Sequence, residues 1–232
     1  MSDSLIKSSI SLHRLPFISV MLTCIVSIVL MYMLTLSWKI SLVVLLVALL
    51  WLPIFLLKTI SLYREYRWLA LIFVLVVAQG SHLLEHFVQV LQLHVLGVSV
   101  ARANGIISIF NTEWVHFIWN TWVLLFATLF LFLFRRNPWL KVLFVASIWH
   151  AIEHSYILYE SIRTGITGLP GLLAQGGFIA GGVPIIRPDL HFLYNLVEEV
   201  LLIIAYLYQI RQIQAWQTNH ANSISPAFVR GK

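Results

Sequence analysis

The sequence predicts an all-α integral membrane protein with about six transmembrane helices, the last four forming a bundle of two parallel helix-pair repeats. Of its 232 residues, 60% are hydrophobic and only 10% are charged, whereas soluble domains carry about a quarter charged residues. Several apolar stretches are long enough to cross a hydrocarbon core of about 30 Å. Within them, one pair of histidine signatures occurs twice in the same order.

The apolar stretches divide the chain into four parts. They cover residues 16–37, 40–57, 67–91, 111–134, 139–160 and 188–210. The parts are an N-terminal two-helix scaffold over 1–66, repeat 1 over 67–134, repeat 2 over 135–212 and a polar cytoplasmic tail over 213–232. The stretch 40–57 is short and contains Pro53, so it is alternatively re-entrant or tilted, which would leave five spans.

Basic residues set the expected orientation. With six spans, one side of the membrane receives Lys39, Arg102, Arg163 and Arg187, and the other side receives all remaining Lys and Arg residues. The positive-inside rule then places both termini in the cytoplasm, in a bacterial inner membrane or an equivalent one. The two longest connections, 92–110 and the Gly- and Pro-rich loop 161–187, lie on the outer side. Such loops either cover a site or merely join helices.

Each repeat carries the same two signatures. HLLEH at 82–86 precedes HFIWN at 116–120, and HAIEH at 150–154 precedes HFLYN at 191–195. Positions i, i+3 and i+4 share one face of a helix, so each HxxEH presents two imidazoles and a carboxylate together. All four signatures are expected in the outer half of the membrane. The copies enter the bilayer in the same direction, which predicts a shared site at the repeat interface.

We expect these side chains to bind metal, because each ionisable group in hydrocarbon costs about 2.5–3.5 kcal/mol on insertion scales and needs a compensating partner. Facing helices build dimetal sites from such ligands. The predicted ligands are His82, Glu85, His86, Glu113, His116, His150, Glu153, His154, His191 and Glu198. Glu85, Glu153 or Glu198 is the predicted catalytic general base. Alternatively, hydrogen bonds among these buried groups only join the helices.

The donor set predicts a divalent transition metal, with one or two ions bound. Imidazole suits zinc, copper, iron and nickel, and the added carboxylates favour iron or zinc, with copper also compatible. Cys24 is the only cysteine, which excludes an intrachain disulfide, a thiolate cage and an iron–sulfur cluster. Heme is less favoured, because a glutamate between the histidines would meet the porphyrin edge.

The predicted function is a metal-dependent membrane enzyme, an oxidoreductase or a hydrolase, that acts on a lipid or another apolar small molecule. A metal-ion or proton transporter and a heme or redox subunit of a membrane complex are the alternatives. The net charge of +6 comes from residues that flank apolar stretches, so no nucleic-acid partner is expected. The sequence identifies no protein partner. It also contains neither a G-x-S-x-G elbow nor a phosphate-binding loop of the Walker type.

Overall fold

The computed structural model describes residues 20–28, 40–107 and 111–224. Five helices account for the regular secondary structure of these ranges. They are α1 at 20–28, α2 at Ile40–His94, α3 at Glu113–Leu133, α4 at Pro138–Thr164 and α5 at Arg187–Ile224. Three of them contain a segment long and apolar enough to cross a membrane, namely Leu45–His94, Glu113–Leu133 and Arg187–Asn219. The all-α fold is confirmed for the described residues, and these three helices are compatible with a membrane, but the six spans and the internal repeat are not confirmed.

α2 joins two of the predicted spans across a kink. The stretches 40–57 and 67–91 belong to a run of 55 residues that includes Pro53 and departs from helical geometry at Tyr66, with φ −142° and ψ 59°. One crossing of a bilayer needs only about 20 residues. A loop was expected between these two spans. The structure instead joins them through one non-helical residue, Tyr66.

The chain divides into two compact units, Met1–Ala70 and Leu71–Lys232. In the first unit, Trp51 Nε1 donates a hydrogen bond of 3.0 Å to Ser27 Oγ and so links α1 to α2. Most of the predicted first span, 16–37, lies outside the described residues. All the predicted site residues belong to the second unit.

The second unit buries polar side chains and exposes large apolar ones. Gln79 and Asn195 are fully buried, whereas Leu125, Phe132 and Val145 are at least 63% exposed. Soluble proteins show the opposite preference, since their interiors exclude unpaired polar groups. The outward apolar faces of α3 and α4 therefore suit a lipid surrounding.

Asn137 fixes the start of α4. Its side chain accepts a hydrogen bond from the Trp139 backbone N–H at 3.2 Å, while Pro138 occupies the first turn of the helix, which is a favoured N-terminal arrangement. The same side chain donates to the Ala205 carbonyl of α5 at 2.8 Å. Asn137 thus caps one helix and attaches it to the next.

α4 is helical over the predicted stretch 139–160 but is not among the three helices apolar enough to cross a membrane. The reason is its own HxxEH signature, because His150, Glu153 and His154 lower its mean hydropathy. These three side chains are buried within the unit. A helix that turns its polar residues inward does not need a uniformly apolar sequence.

The Gly- and Pro-rich connection between α4 and α5 is compact. Its backbone forms internal hydrogen bonds, among them Gln175 N–H to the Ile185 carbonyl at 2.8 Å and Val183 N–H to the Leu173 carbonyl at 2.7 Å. Gly182 has φ +78°, and a Cβ there would lie 1.8 Å from the Ala174 carbonyl oxygen. The glycine content of this loop therefore serves close packing of its own backbone.

Candidate metal centre

Six histidine side chains of the second unit form one buried cluster. Each is 5% exposed or less, and neighbouring rings have centroids between 4.6 and 6.3 Å apart. They are His82 and His86 of α2, His116 of α3, His150 and His154 of α4 and His191 of α5. The structure thus brings together all six of the imidazoles that the signatures single out.

His82, His86 and His116 could hold a metal ion. One ring nitrogen of each lies within 4.8 Å of the other two, and His86 Nε2 is 3.2 Å from His116 Nε2. Zinc–nitrogen bonds of about 2.0–2.1 Å would place two tetrahedral ligands about 3.3 Å apart. His82 Nε2 is buried and has no hydrogen-bond partner. The spacing and the unpartnered nitrogen both fit a shared cation.

The other three histidines lie beside this group but do not bring three ligand atoms within 4.8 Å of one another. His150 Nε2 lies 3.1 Å from His154 Nε2, and His191 Nε2 is buried without a partner. The two groups also meet, because the rings of His116 and His154 stack with centroids 5.2 Å apart and planes inclined by 5°. Each group has one close Nε2 pair and one unpartnered Nε2, but in the second group His154 Nδ1 is also buried without a partner, so His154 can donate from Nε2 to His150.

The Nδ1 atoms of three rings lie within hydrogen-bond distance of acceptor oxygens outside the cluster. His86 Nδ1 lies 2.8 Å from Gln89 Oε1, His116 Nδ1 lies 3.0 Å from the Thr112 carbonyl oxygen, and His150 Nδ1 lies 3.0 Å from Glu198 Oε2. An acceptor oxygen on Nδ1 selects the tautomer with the proton there and leaves the lone pair on Nε2. Metal-binding histidines are oriented in this way.

Two glutamines that hydrogen-bond around the cluster, Gln79 and Gln89, were not predicted from the sequence. Gln79 donates to Asn195 Oδ1 at 2.9 Å and to Glu198 Oε2 at 3.1 Å, and its own Oε1 accepts from Trp119 Nε1 at 2.8 Å. Gln89 is the partner of His86. Both glutamines continue the helix face of the signature, since positions 79, 82, 86 and 89 follow helical spacing. That helical spacing is the feature of the sequence that could have identified the two glutamines.

Glu198 is the predicted carboxylate that hydrogen-bonds to the cluster. Its Oε2 accepts from His150 and from Gln79, and its Oε1 is buried without a partner. The signature asparagines are occupied differently, because Asn120 and Asn195 each donate to the carbonyl of the histidine four residues earlier at 2.9 Å. Those bonds attach each amide to its own helix.

The three other predicted carboxylates have partners away from the imidazoles. Glu113 forms a two-point ion pair with Arg187, with one N–H···O distance of 2.8 Å, and also accepts from the Gly168 N–H at 3.1 Å. Glu85 and Glu153 each accept backbone N–H groups of a loop. These three carboxylates therefore bind an arginine or loop N–H groups, whereas the imidazoles of the signatures contact one another.

A cavity of about 670 Å³ opens beside the cluster. His86 and His191 line it, as do residues of both connections at the histidine end of the bundle. Its polar lining includes Gln89, Asn104, Asn111, Thr112, Ser161 and Thr167, and its apolar lining includes Val100, Trp114, Leu158 and Ile162. This volume is typical of a small-molecule site, so a ligand held there would lie next to two of the histidines.

The described residues thus combine three helices that are long and apolar enough to cross a membrane with three buried histidines that could hold a metal ion. Comparison with known proteins adds no assignment to this combination. No protein-family model matches the chain, and no curated protein or solved structure matches it either.

Proposed function

We propose that the protein is a membrane metalloenzyme in which the six clustered histidines hold two transition-metal ions beside a substrate cavity. The first ion would be bound by His82, His86 and His116, and the second by His150, His154 and His191. Iron or zinc is favoured, because only nitrogen and oxygen donors are present, and copper is compatible.

The contact between His86 and His116 carries this proposal. Each ring has an acceptor oxygen at Nδ1, so each proton belongs there and both Nε2 atoms present lone pairs. These lone pairs face each other across 3.2 Å. Two neutral rings in these tautomers would repel, and a cation between them removes the repulsion. The choice is between an additional proton and a metal ion, and the unpartnered Nε2 of His82 supports the metal ion.

We place the second ion at the other three histidines by analogy with the first group, although their ligand atoms do not all lie within 4.8 Å of one another. Glu198 holds the Nδ1 proton of His150 and so directs its Nε2 lone pair toward His154. A carboxylate on the far nitrogen also raises the basicity of a ligating imidazole. His191 supplies the unpartnered nitrogen. Its side chain lines the cavity, so this group would face a bound substrate.

The cavity supports an enzyme that acts on a lipid or another apolar molecule with a polar group. Val100, Trp114 and Ile162 line it and are each at least 55% exposed, which gives it an apolar rim. Such a rim would hold an apolar chain, while His86 and His191 lie where its polar group would enter. A bound metal would supply Lewis-acid or redox chemistry. Glu198 Oε1 is a buried carboxylate oxygen without a partner, on a residue that contacts His150, and is our candidate for proton transfer.

Metal analysis of the full-length protein in lipid nanodiscs tests the proposal. After loading with Fe(II), Zn(II) or Cu(II) and removal of free ion, we expect about two bound ions per chain. His86→Ala and His116→Ala should each lose one ion or more. His94→Ala is the matched control, because His94 also belongs to α2 but bonds Asp189 at 2.9 Å outside the cluster.

A wild-type protein that retains no metal under any of these loadings would show that the histidines share protons instead. Enzyme activity needs its own assay, in which membrane lipid extracts are incubated with the loaded protein and compared by mass spectrometry. Metal flux in proteoliposomes without lipid turnover would favour a transporter over the enzyme.

A further inference from the structure

The glutamate of the first HxxEH signature holds a loop. Glu85 Oε1 accepts the backbone N–H groups of Ile106 and Ile107 at 2.8 and 2.9 Å. Gly105 precedes them with φ +69°, and a Cβ there would lie 2.2 Å from the same oxygen. Gln92 completes the attachment, because its amide both donates to and accepts from the Gly105 backbone. Only glycine permits this approach of the loop to the carboxylate.

The glutamate of the second signature holds the other loop in the same way. Glu153 Oε1 accepts the Leu172 N–H at 2.9 Å. Gly171 precedes it with φ +79°, and a Cβ there would also lie 2.2 Å from the carboxylate oxygen. The two loops share a glycine followed by two aliphatic residues, Gly105-Ile106-Ile107 and Gly171-Leu172-Leu173. Each presents a left-handed glycine followed by an N–H group that donates to the carboxylate of the signature.

We propose that Glu85 and Glu153 are positioning residues that hold the two connecting loops over the histidine cluster, and that neither is a metal ligand or the general base. The i and i+4 histidines of each signature point into the cluster, while the glutamate between them reaches the loop. Neither carboxylate belongs to the group of ligand atoms within 4.8 Å of one another, and Glu153 keeps a second oxygen, Oε2, that is buried without a hydrogen-bond partner. The proposal thus differs from the ligand and base roles that the sequence predicts for them.

The positions of the cavity walls follow from these two attachments. Ala103 and Asn104 line the cavity and come directly before Gly105. Thr167 and Gly168 line its other wall and come shortly before Gly171. A loop released from its carboxylate would therefore move the wall that a substrate meets, without removing a nitrogen from the cluster.

Glutamine substitutions separate positioning from metal binding. Glu85→Gln and Glu153→Gln keep a carbonyl oxygen that accepts N–H groups, whereas Glu85→Ala and Glu153→Ala remove it. We expect hydrogen–deuterium exchange of the full-length protein in nanodiscs to be near wild type in the glutamine variants. In the alanine variants, peptides containing Ile106 and Ile107 or Leu172 should exchange on the order of tenfold faster.

The metal site provides the second readout. Cobalt(II) loaded into the protein has an optical spectrum that depends on its ligands, and we expect the glutamine variants to keep the wild-type spectrum and metal content. A glutamine variant that loses metal or alters the cobalt spectrum, as His86→Ala should, would overturn the proposal. Unchanged exchange of the loop peptides in Glu85→Ala and Glu153→Ala would overturn it too.

Gly105→Ala keeps the proposal testable if the alanine variants do not fold. It leaves Glu85 in place but drives a methyl group into the carboxylate, so the loop peptide should again exchange faster while the metal content is retained. The positioning role rests on the proposed metal site only for the cobalt spectrum. If the wild-type protein binds no metal, the exchange experiment still decides whether the glutamates hold the loops.

Discussion

His86 and His116 approach each other through their Nε2 atoms, 3.2 Å apart, although the Nδ1 atom of each ring already faces an acceptor oxygen. The rings belong to different helices, α2 and α3. In the tautomers that these acceptors favour, neither Nε2 atom has a proton to donate, so a cation bound between them would stabilise the contact. The stability of the bundle should therefore depend on what occupies this position.

Removal of the metal should destabilise the protein. At a free metal concentration of 100 times the dissociation constant, binding to the folded state alone contributes about 2.7 kcal/mol. Chelation should therefore lower the midpoint of denaturant unfolding in nanodiscs or mild detergent. The double variant His86→Ala/His116→Ala should be much less sensitive to the chelator. Equal sensitivity of both proteins would show that the chelator acts elsewhere.

Glu198 should affect metal affinity through His150. Glu198→Ala removes the acceptor of the His150 Nδ1 proton, and loss of such a partner typically lowers metal affinity about 10–100-fold. Competition with a chromophoric chelator measures this change. Glu160→Ala is the control, because Glu160 belongs to the same bundle but pairs with the exposed Arg163. An unchanged affinity in Glu198→Ala would remove His150 from the site.

The ion pair between Arg187 and Glu113 should contribute strongly to stability. Their side chains are only 14% and 7% exposed, and removal of one partner from a buried pair costs about 3–5 kcal/mol. Arg187→Met should show this loss in equilibrium unfolding. Arg187→Met/Glu113→Leu should recover much of it, because no uncompensated charge remains. Arg163→Met should have little effect, since that pair is exposed.

Two phenylalanines of α3 provide a test of the lipid-facing surface. Phe130 is fully buried and Phe132 is 67% exposed. Phe130→Ala should destabilise the protein by about 3–5 kcal/mol, because it leaves a cavity in the core. Phe132→Ala should cost far less when unfolding is measured in lipid. Similar losses for both would indicate that Phe132 packs against another protein rather than lipid.

The orientation of the chain remains a prediction, and labelling can test it. In a Cys24→Ser background, Asn104→Cys and Gln175→Cys should react with a membrane-impermeant maleimide added to intact cells. Both positions belong to the connections expected on the outer side. Reaction only after the membrane is opened would invert the orientation and place the histidine cluster near the cytoplasm.

The sequence was sufficient for the helices and for the inward faces of the histidines. Helical periodicity alone places His82 with His86 and His150 with His154, and helices α2 to α5 carry them as predicted. The number of spans was less accessible. Hydropathy treats 40–57 and 67–91 as separate segments, and the structure likewise has two helical segments there, but they meet at one non-helical residue, Tyr66, without the expected loop.

Only the tertiary structure decided which groups each glutamate contacts. The partners of Glu85 and Glu153 are backbone N–H groups. Every residue except proline has one, so no pattern of side chains in the sequence predicts these contacts. Glu113 pairs with Arg187, 74 residues away in the chain. The sequence by itself thus determined that the two histidines of each HxxEH signature share one face of an apolar helix, because that follows from local helix geometry. The meeting of the histidines from four helices was decided by the tertiary structure. The assignment of carboxylates to loops, to an arginine or to His150 required the folded positions of both connections.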